Sequence, residues 1–372
     1  MLRILDRHVL REWLKVFAIV TAACIGLLML QILYDAYPDM RSFGASQRQM
    51  LLYFLVRAPA SLSIVIPIAV LVSLLYALGQ LHRHNEITAM RAAGISLWRV
   101  TGGIWVVAGG LSVLLFYLNA TVIPWSVEQA RILWDNMRFS HQAAVAGSGD
   151  EVGLVYNVTY DNRVEGRLWM IPRFSEYSHR AFGVHLAFLD KERREVRRIT
   201  AAEGYWDEVD RKWVLMHGRE TWFDPQTRDI VRTLAFERRE LEGVRDDPMW
   251  MILLEKRPKD LSFFELQSII EAPEMADNPR LPAYKVRYHS LLAGTFSCLI
   301  VAGLAIPFAV TGVRVNPAVG VSKSLGLFVL YYLFTTFGTL LGEQGALDAR
   351  VAAWLPNVVG ILVALWFSAR AR

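Results

Sequence analysis

Residues 81–99 read LHRHNEITAMRAAGISLWR, a polar and basic segment between two long apolar runs. Because the runs on both sides are apolar enough to cross a membrane, polar segment 81–99 must lie in water on one side of a bilayer. The segment predicts a short helix. Asn85 is placed to cap its start, Glu86 suits the positive end of the helix dipole, and Gly94 can end it.

This short helix has one apolar face. Helical spacing puts Ile87, Met90 and Ala93 on that face, with Arg91 and Ala92 beside them. A helix of this length is not stable alone in water, so the face needs a surface to pack against. On the residues alone two interpretations stay open: an ordinary solvated loop, or the point at which a partner protein pushes on the membrane part.

Composition places the chain among membrane proteins. Of its 372 residues 54% are hydrophobic, and they come in blocks. The net charge of +5 could suggest nucleic acid, but the basic residues fall largely at the ends of apolar runs, as positive-inside anchoring predicts. We therefore expect no nucleic-acid binding. Cys24 and Cys298 both lie inside apolar runs, so we expect neither a disulfide nor a cysteine metal site in the water-soluble part.

The apolar runs predict six membrane spans in two groups of three, after an amphipathic helix at residues 1–15. We expect a polar outer loop at residues 35–49, kinks at Pro59 and Pro67, and an end to the third span at Pro124. Lys and Arg in the short loops place both termini and polar segment 81–99 in the cytoplasm. The predicted spans are residues 16–34, 51–79, 101–123, 290–310, 325–341 and 351–368.

The insert between the third and fourth spans, residues 125–288, has a different pattern. Stretches rich in β-branched and aromatic residues predict an antiparallel sandwich or roll outside the membrane. Ser262 and Glu265 can form a capping box for a short linking helix at 260–271. The fold class is therefore an α+β membrane protein with domains 1–124, 125–288 and 289–372. The predicted strands are residues 151–160, 167–174, 182–190, 195–206, 212–217 and 230–240.

No catalytic, cofactor or metal site can be assigned. The chain has no phosphate-loop motif, so any energy for moving a substrate must come from a partner. His82 and His84 have the spacing of a metal pair but lack a third ligand, and a solvated loop explains them better. The four histidines of the insert show no ligand spacing, and no Ser/His/Asp set can be picked out.

Several stretches resemble the lipopolysaccharide export permease family. NEITAMRAAGIS at 85–96 is similar to the coupling-helix motif of that family. Four more stretches match in order along nearly the full chain: LDRHVLREW (5–13), VIPWSVEQA (122–130), LSFFEL (261–266) and LGEQGALDARVAAWLPNVVG (341–360). The resemblance implies six transmembrane helices and a periplasmic β-jellyroll in the bacterial inner membrane. The LDRHVLREW opening favours the second of the two paired subunit types.

The resemblance also implies partners. The chain would be a non-catalytic subunit of an ATP-driven transporter that extracts lipopolysaccharide from the inner membrane. It would pair with a second six-span permease subunit over a cytoplasmic ATPase dimer, and pass the lipid to a periplasmic jellyroll bridge protein. Carried over by position, the contacts to the ATPase are Glu86, Ile87, Met90, Arg91 and Gly94.

A lateral gate for the lipid follows from the same resemblance. The first and fifth spans would border it, with Gln31, Tyr34 and Asp35 at the outer end of the first span. One type of family member has lysines there that meet lipid phosphates. This chain has none, which leaves Arg131, Arg41 and Arg48 as headgroup candidates.

The apolar alternating positions of residues 154–160 and 184–189 either take acyl chains or form an ordinary core. Two alternatives to lipid export stay open. One is a mechanotransmission permease that moves no lipid, and the other is a membrane-anchored scaffold or receptor.

Overall fold

A computed structural model of the chain describes residues 4–146, 153–224, 226–276, 278–310 and 317–370. Helices precede and follow one β-sheet. The helices before the sheet are α1 Ile4–Ser42, α2 Gln47–Arg57, α3 Leu62–Arg83, α4 Glu86–Ala92, α5 Leu97–Val100, α6 Gly102–Tyr117 and α7 Ile123–Ala146. Those after it are α8 Pro248–Glu255, α9 Phe263–Glu271, α10 Leu281–Gly294, α11 Ser297–Val310, α12 Pro317–Glu343 and α13 Ala349–Arg370.

Apolar helices long enough to cross a membrane lie on both sides of the sheet. Helices α10 and α11 are long enough only as a pair, and the pair is bent by 50°. The described residues therefore hold five spans, or six if the bent pair is one span, so the predicted count of six is not confirmed. The five single stretches are Leu5–Ser42, Gln47–Arg83, Gly102–Gln142, Val321–Glu343 and Ala349–Arg370.

The outer loop predicted at residues 35–49 is wrong. Helix α1 continues through Pro38 to Ser42, and α2 begins at Gln47 after a four-residue turn. The extension is held by packing, because Ala36 and Met40 are buried in a cluster that also contains Met137 of α7. At Pro59, where we expected a kink, a 3₁₀ turn at Ala58–Ser61 interrupts the α-helix. Pro67, the other expected kink, lies inside the uninterrupted helix α3.

The third span does not end at Pro124. Helix α6 passes through a π-helical turn at Leu118–Val122 directly into α7. A proline in a helix lacks one N–H and collides with the carbonyl four residues before it, and a wider turn at that point relieves the collision. The insert therefore begins with helix, from residue 125 to the end of α7 at Ala146.

The helix bundle is centred on α3 and α11. Almost every residue of α11 is buried, and α3 packs between α11 and α1. Helix α13 approaches α11 very closely, since a Cβ at Gly303 would lie 2.9 Å from the Cβ of Ala364. Glycine permits that approach, as at many helix contacts in membranes.

The sheet is a six-stranded antiparallel meander in which each strand pairs with its neighbours in the chain. Strands β3, β4 and β6 begin or end within a few residues of the predicted bounds, and β5 runs six residues further than predicted. The jellyroll expected from the resemblance is not confirmed. The strands are β1 Leu154–Asn162, β2 Arg167–Ser175, β3 Arg180–Leu189, β4 Glu195–Asp207, β5 Lys212–Phe223 and β6 Ile230–Glu240.

One face of the sheet is covered by residues 241–254, which include all of α8 but its last residue. Val158, Val184 and Leu186 are buried against Met251 and Ile252. These strand positions had two interpretations, acyl-chain lining or core, and the structure uses them as core.

Asp246 fixes the covering segment to the sheet. Its carboxylate accepts hydrogen bonds from Asn162 Nδ2 at 2.8 Å and Trp169 Nε1 at 2.9 Å, and it pairs with Arg167 Nε at 2.7 Å. The Trp213 indole donates to the Asp246 carbonyl at 2.7 Å. The covering segment leads through α8 and α9 back to the bundle, so this network sets the attachment of the sheet.

The linking helix is confirmed as α9. Ser262 N donates to Glu265 Oε2 at 2.7 Å, and Glu265 N donates to Ser262 Oγ at 3.1 Å. This reciprocal pair is the predicted capping box. Leu266 and Ile269 then face α10, where Tyr284 donates a hydrogen bond from its hydroxyl to the Leu254 carbonyl at 2.9 Å.

Candidate functional site

Polar segment 81–99 contains the predicted short helix, α4. Asn85 stands at its start with a φ of 60°, and its side chain makes no capping hydrogen bond, so the predicted side-chain cap is wrong. The turn from α3 into α4 is only two residues long and forces a left-handed residue, which asparagine tolerates better than most. Gly94 ends the helix as predicted, with a φ of +82°.

The end of α4 is a Schellman motif. Gly94 N–H donates to the Arg91 carbonyl at 2.9 Å, and Ile95 N–H donates to the Met90 carbonyl at 3.1 Å. Both bonds satisfy carbonyls that a helix end leaves without partners. The turn reverses the chain into α5 and so back to the third span.

The apolar face of α4 packs on the chain's own bundle. Ile87 is 0% exposed and Met90 is 8% exposed, in one cluster with residues of α1, α3 and α6. These two side chains therefore lie against the chain's own bundle and not on its free surface. The exposed residues of α4 and of the two positions after it are Thr88, Ala89, Arg91, Ala92, Ala93 and Gly94.

Two polar contacts join polar segment 81–99 to the start of α1. Arg99 Nη2 donates to Asp6 Oδ2 at 3.1 Å, and the Asp6 side chain is 8% exposed. His8 Nε2 lies 3.0 Å from Glu86 Oε2, which hydrogen-bonds the imidazole to the carboxylate. Glu86 therefore has a partner within the chain. We call these two contacts the α1 clamp.

A third contact anchors the same part of α1 to α3. Trp13 is fully buried, and its indole N–H donates to Ser73 Oγ at 2.8 Å. Val9, one turn earlier, is also buried. Beside the clamp lies an open groove of about 430 Å³ whose walls include Leu5, Met90 and Gly94. Nothing in the described chain fills it.

The predicted gate residues lie on the exposed surface of α1, in its C-terminal part. Tyr34 is 83% exposed, and Gln31 and Asp35 are also exposed. In the part of the chain that the structure describes, α1 and α12 are not packed together, since α1 packs on α3 and α12 packs on α13 and α11. A gate between α1 and α12 of this one chain is therefore not formed.

The three headgroup candidates have different surroundings. Arg131 on α7 pairs with Glu128 one turn earlier, at 2.6 Å. Arg41 and Arg48 are exposed, and no ion pair joins either to a described carboxylate.

Two residues of the clamp were missed as site residues. Asp6 and His8 belong to LDRHVLREW, one of the stretches that resemble the permease family. Their spacing within the helix does not predict which residues they contact. The partners lie 93 and 78 residues later in the chain. A signal was present in Trp13, because a tryptophan in a basic amphipathic stretch often anchors it.

Long apolar helices, an extramembrane sheet and a short polar helix packed under the bundle define a multi-pass membrane protein with a separate β-domain. The chain belongs to the lipopolysaccharide export system permease family, LptF/LptG, whose family profile matches residues 7–370. It is similar to the lipopolysaccharide export system permease protein LptG of Escherichia coli K12, with 22% identity over 379 residues. That comparison covers 99% of this chain and 98% of the relative. The LptG protein of Escherichia coli O6:H1 shows the same identity and coverage.

Proposed function

We propose that this chain is one permease subunit of an ATP-driven transporter that extracts lipopolysaccharide from the bacterial inner membrane. Membership of the family and the names of the LptG relatives support the substrate. Removal of a lipid from a bilayer costs about 0.8 kcal/mol for each buried methylene, so the step needs an energy source. A cytoplasmic ATPase dimer supplies it, and this chain carries no catalytic group of its own.

In this transporter the chain has a defined orientation in the membrane. Both termini and polar segment 81–99 face the cytoplasm, and the sheet lies in the periplasm. The distribution of Lys and Arg over the short loops supports this orientation. The sheet then passes the lipid to a periplasmic bridge protein built of jellyroll domains.

The observation that carries the proposal is the course of α1. It is one helix of 39 residues. The α1 clamp holds its start to polar segment 81–99, and Tyr34 lies 26 residues beyond His8 on the same helix, about 39 Å at 1.5 Å per residue. A push on polar segment 81–99 therefore reaches the gate region along one continuous helix.

The ATPase contact is assigned to the exposed side of α4. Glu86 and Arg91 reach the partner, while Ile87, Met90 and Gly94 set the position of the helix. The groove of about 430 Å³ beside Gly94 is the place for a partner side chain. Glu86 is already hydrogen-bonded to His8. Docking of the ATPase therefore either replaces this hydrogen bond or adds a second partner to the Glu86 carboxylate.

A second permease subunit covers the free sides of α1 and α12. Both helices leave large apolar residues exposed, such as Leu27 at 71% on α1 and Phe337 at 61% on α12. In the heterodimer α1 of one subunit meets the fifth span of the other and forms the lateral gate, with Gln31, Tyr34 and Asp35 beside it. Arg41, Arg48 and Arg131 are the candidates for the lipid phosphates.

Lipid capture at the gate tests the export function. A photoreactive amino acid at Tyr34 in the full complex should crosslink lipopolysaccharide, and the yield should change when ATP is added. The matched control is a probe at Tyr76 on α3, which is also exposed. If neither probe captures lipid while ATP hydrolysis still depends on the permease, the chain transmits force without moving lipid. If no ATPase copurifies, a membrane-anchored scaffold is the better description.

The ATPase contact has its own test. Glu86→Ala should reduce copurification of the ATPase, whereas His8→Ala should leave it intact because the carboxylate is then free to bind the partner. Glu242→Ala, which removes an exposed carboxylate from the covering segment of the sheet, is the control. Equal copurification with Glu86→Ala and Glu242→Ala would contradict the assignment.

A further inference from the structure

A cavity outside the predicted gate lies where α9 covers the first turns of α10 and α13. Its volume is about 450 Å³. Lys285, His289 and Arg350 line it, together with Tyr288, whose ring stacks on Phe263 at 4.7 Å between ring centres. None of these residues was selected from the sequence.

Two cations line this cavity without an ion pair to any described carboxylate. No ion pair within 4.0 Å joins Lys285 or Arg350 to an acidic side chain in the described part of the chain, and both are exposed. Two carboxylates, Asp348 and Glu271, also line the cavity, and each is held by a hydrogen bond within its own segment. Asp348 Oδ1 accepts the Arg350 backbone N–H at 2.9 Å, and Glu271 Oε1 accepts the Gln267 amide at 2.9 Å.

The surface that leads away from the cavity is apolar. Helices α10 and α13 pack together and both begin at the cavity, so residues further along them lie below it. Phe296 and Trp354 meet there, with ring centres 5.7 Å apart. Val351 and Leu355 are 46% and 42% exposed on the same helix as Trp354. A tryptophan between a polar and an apolar zone is typical of a membrane interface.

We propose that this cavity binds the phosphate headgroup of an anionic membrane phospholipid, whose acyl chains lie along Phe296, Trp354 and Leu355. Arg and Lys are the usual partners of phosphate oxygens, and an apolar strip directly below them selects a phosphate that carries acyl chains. The site takes a bilayer lipid at the rim of the bundle and does not depend on lipopolysaccharide export.

The test uses the quenching of Trp354 fluorescence by phospholipids brominated in their acyl chains. The full chain is reconstituted in phosphatidylcholine vesicles that contain a small fraction of brominated phosphatidylglycerol or, in parallel, brominated phosphatidylcholine. The chain has 12 tryptophans, so the Trp354→Phe variant isolates the signal of this residue. We expect the anionic lipid to quench Trp354 at a lower fraction than the zwitterionic lipid does.

The double variant Lys285→Gln with Arg350→Gln should remove that preference. A surface cation contributes roughly a fivefold change in the apparent affinity for anionic lipid, so the two together should weaken it about 25-fold. The control is Arg257→Gln with Lys259→Gln, which removes the same two residue types from exposed positions outside the cavity. It should keep the preference.

Three results would overturn the site. Equal quenching by both lipids would show that the cavity has no preference for anionic lipid. An equal loss of that preference in the double variant and in its control would show that it comes from the general surface charge. Displacement of the anionic lipid by inorganic phosphate would show a site for small anions whose binding does not depend on acyl chains. A lack of lipopolysaccharide transport would not affect this test, since none of its readouts involves that lipid.

Discussion

Arg99 Nη2 lies 3.1 Å from Asp6 Oδ2, and this contact joins the first turns of the chain to the last residue of polar segment 81–99. The Asp6 side chain is 8% exposed and that of Arg99 is 51% exposed. A carboxylate that is nearly out of water needs its cation, while a half-exposed guanidinium can be hydrated without its partner. The two residues therefore differ in what their removal should cost.

A double-mutant cycle on Asp6 and Arg99 should show coupling. We expect Arg99→Gln, which removes a cation from a nearly buried carboxylate, to lower the free energy of unfolding by about 2–3 kcal/mol. Asp6→Asn, which leaves a half-exposed guanidinium in water, should lower it by only about 1 kcal/mol, with an interaction of roughly 1 kcal/mol between the two changes. Denaturant titration of the purified chain in detergent measures each value. Arg7→Gln, on the exposed side of the same helix, should change stability by less than about 0.5 kcal/mol. Strictly additive effects of Asp6→Asn and Arg99→Gln would show that the contact is not formed.

Ile87 should be an anchor of α4. Its side chain is fully buried, so Ile87→Ala leaves a cavity and should cost about 2–4 kcal/mol. A single cysteine at Ala93, which is exposed, should then react faster with a water-soluble maleimide because α4 detaches more often. Thr88→Ala on the other side of the helix should leave the labelling rate unchanged. An unchanged rate in both variants would mean that α4 does not depend on this contact.

Substitutions at Gly94 should lower stability through the backbone conformation that this position requires, and not through the size of the new side chain. Its φ is +82°, and a Cβ there would meet nothing within 4 Å. Gly94→Ala should therefore cost about 1 kcal/mol through the left-handed conformation alone, and Gly94→Asn should cost less. Gly79→Ala, in the interior of α3 with equally open surroundings, should be neutral or stabilising. Stability from denaturant titration checks the order, and equal losses for Ala and Asn would contradict it.

Local signals predicted much of the fold. The capping box at Ser262 and Glu265, the helix end at Gly94 and the strand positions all depend on residues within a few positions of each other, so the sequence alone could reveal them. The polar segment and its helix were predicted for the same reason. The apolar spans were recognised because length and composition decide them.

The helix ends and side-chain partners that the sequence did not predict depend on packing between residues far apart in the chain. Helix α1 continues past Pro38 because Met40 is buried beside Met137, almost a hundred residues away. The third span continues past Pro124 because a π-helical turn accommodates the proline. The partners of Asp6 and His8 are equally remote. Ile87 and Met90 were placed on the correct face, but only the structure shows that the chain's own bundle occupies that face.

The junction of the sheet with α7 should respond to pH through Glu176. Burial raises the pKa of this carboxyl above its ordinary 4.5, and Arg131 and Lys256 only partly oppose that rise. The folded state then holds the proton more tightly than the unfolded state. The resulting stabilisation is complete below about pH 4.5 and is lost as the pH rises through the raised pKa.

Glu176→Gln imitates the protonated carboxyl and should remove this dependence. Its thermal midpoint in detergent should match that of the unmodified chain at low pH and exceed it at neutral pH. Glu242→Gln changes an exposed carboxylate of the covering segment and serves as the control. If Glu176→Gln were less stable than the unmodified chain at neutral pH, the carboxylate would be a favourable ion-pair partner there.

The attachment of the sheet should depend on Asp246 far more than on its neighbour Asp247. Asp246→Ala leaves the Trp169 indole without its acceptor and the buried Arg167 guanidinium with only its longer contacts to Gly243 and Glu165, a loss of about 3–5 kcal/mol. Asp247 caps α8 by accepting the Met249 N–H at 2.8 Å, so Asp247→Ala should cost only about 1 kcal/mol. Limited proteolysis of the full chain should cut the Asp246 variant in residues 241–254 many times faster than the Asp247 variant. Comparable rates in the two variants would mean that apolar packing by Met251 and Ile252 holds the covering segment on the sheet without the help of the carboxylate.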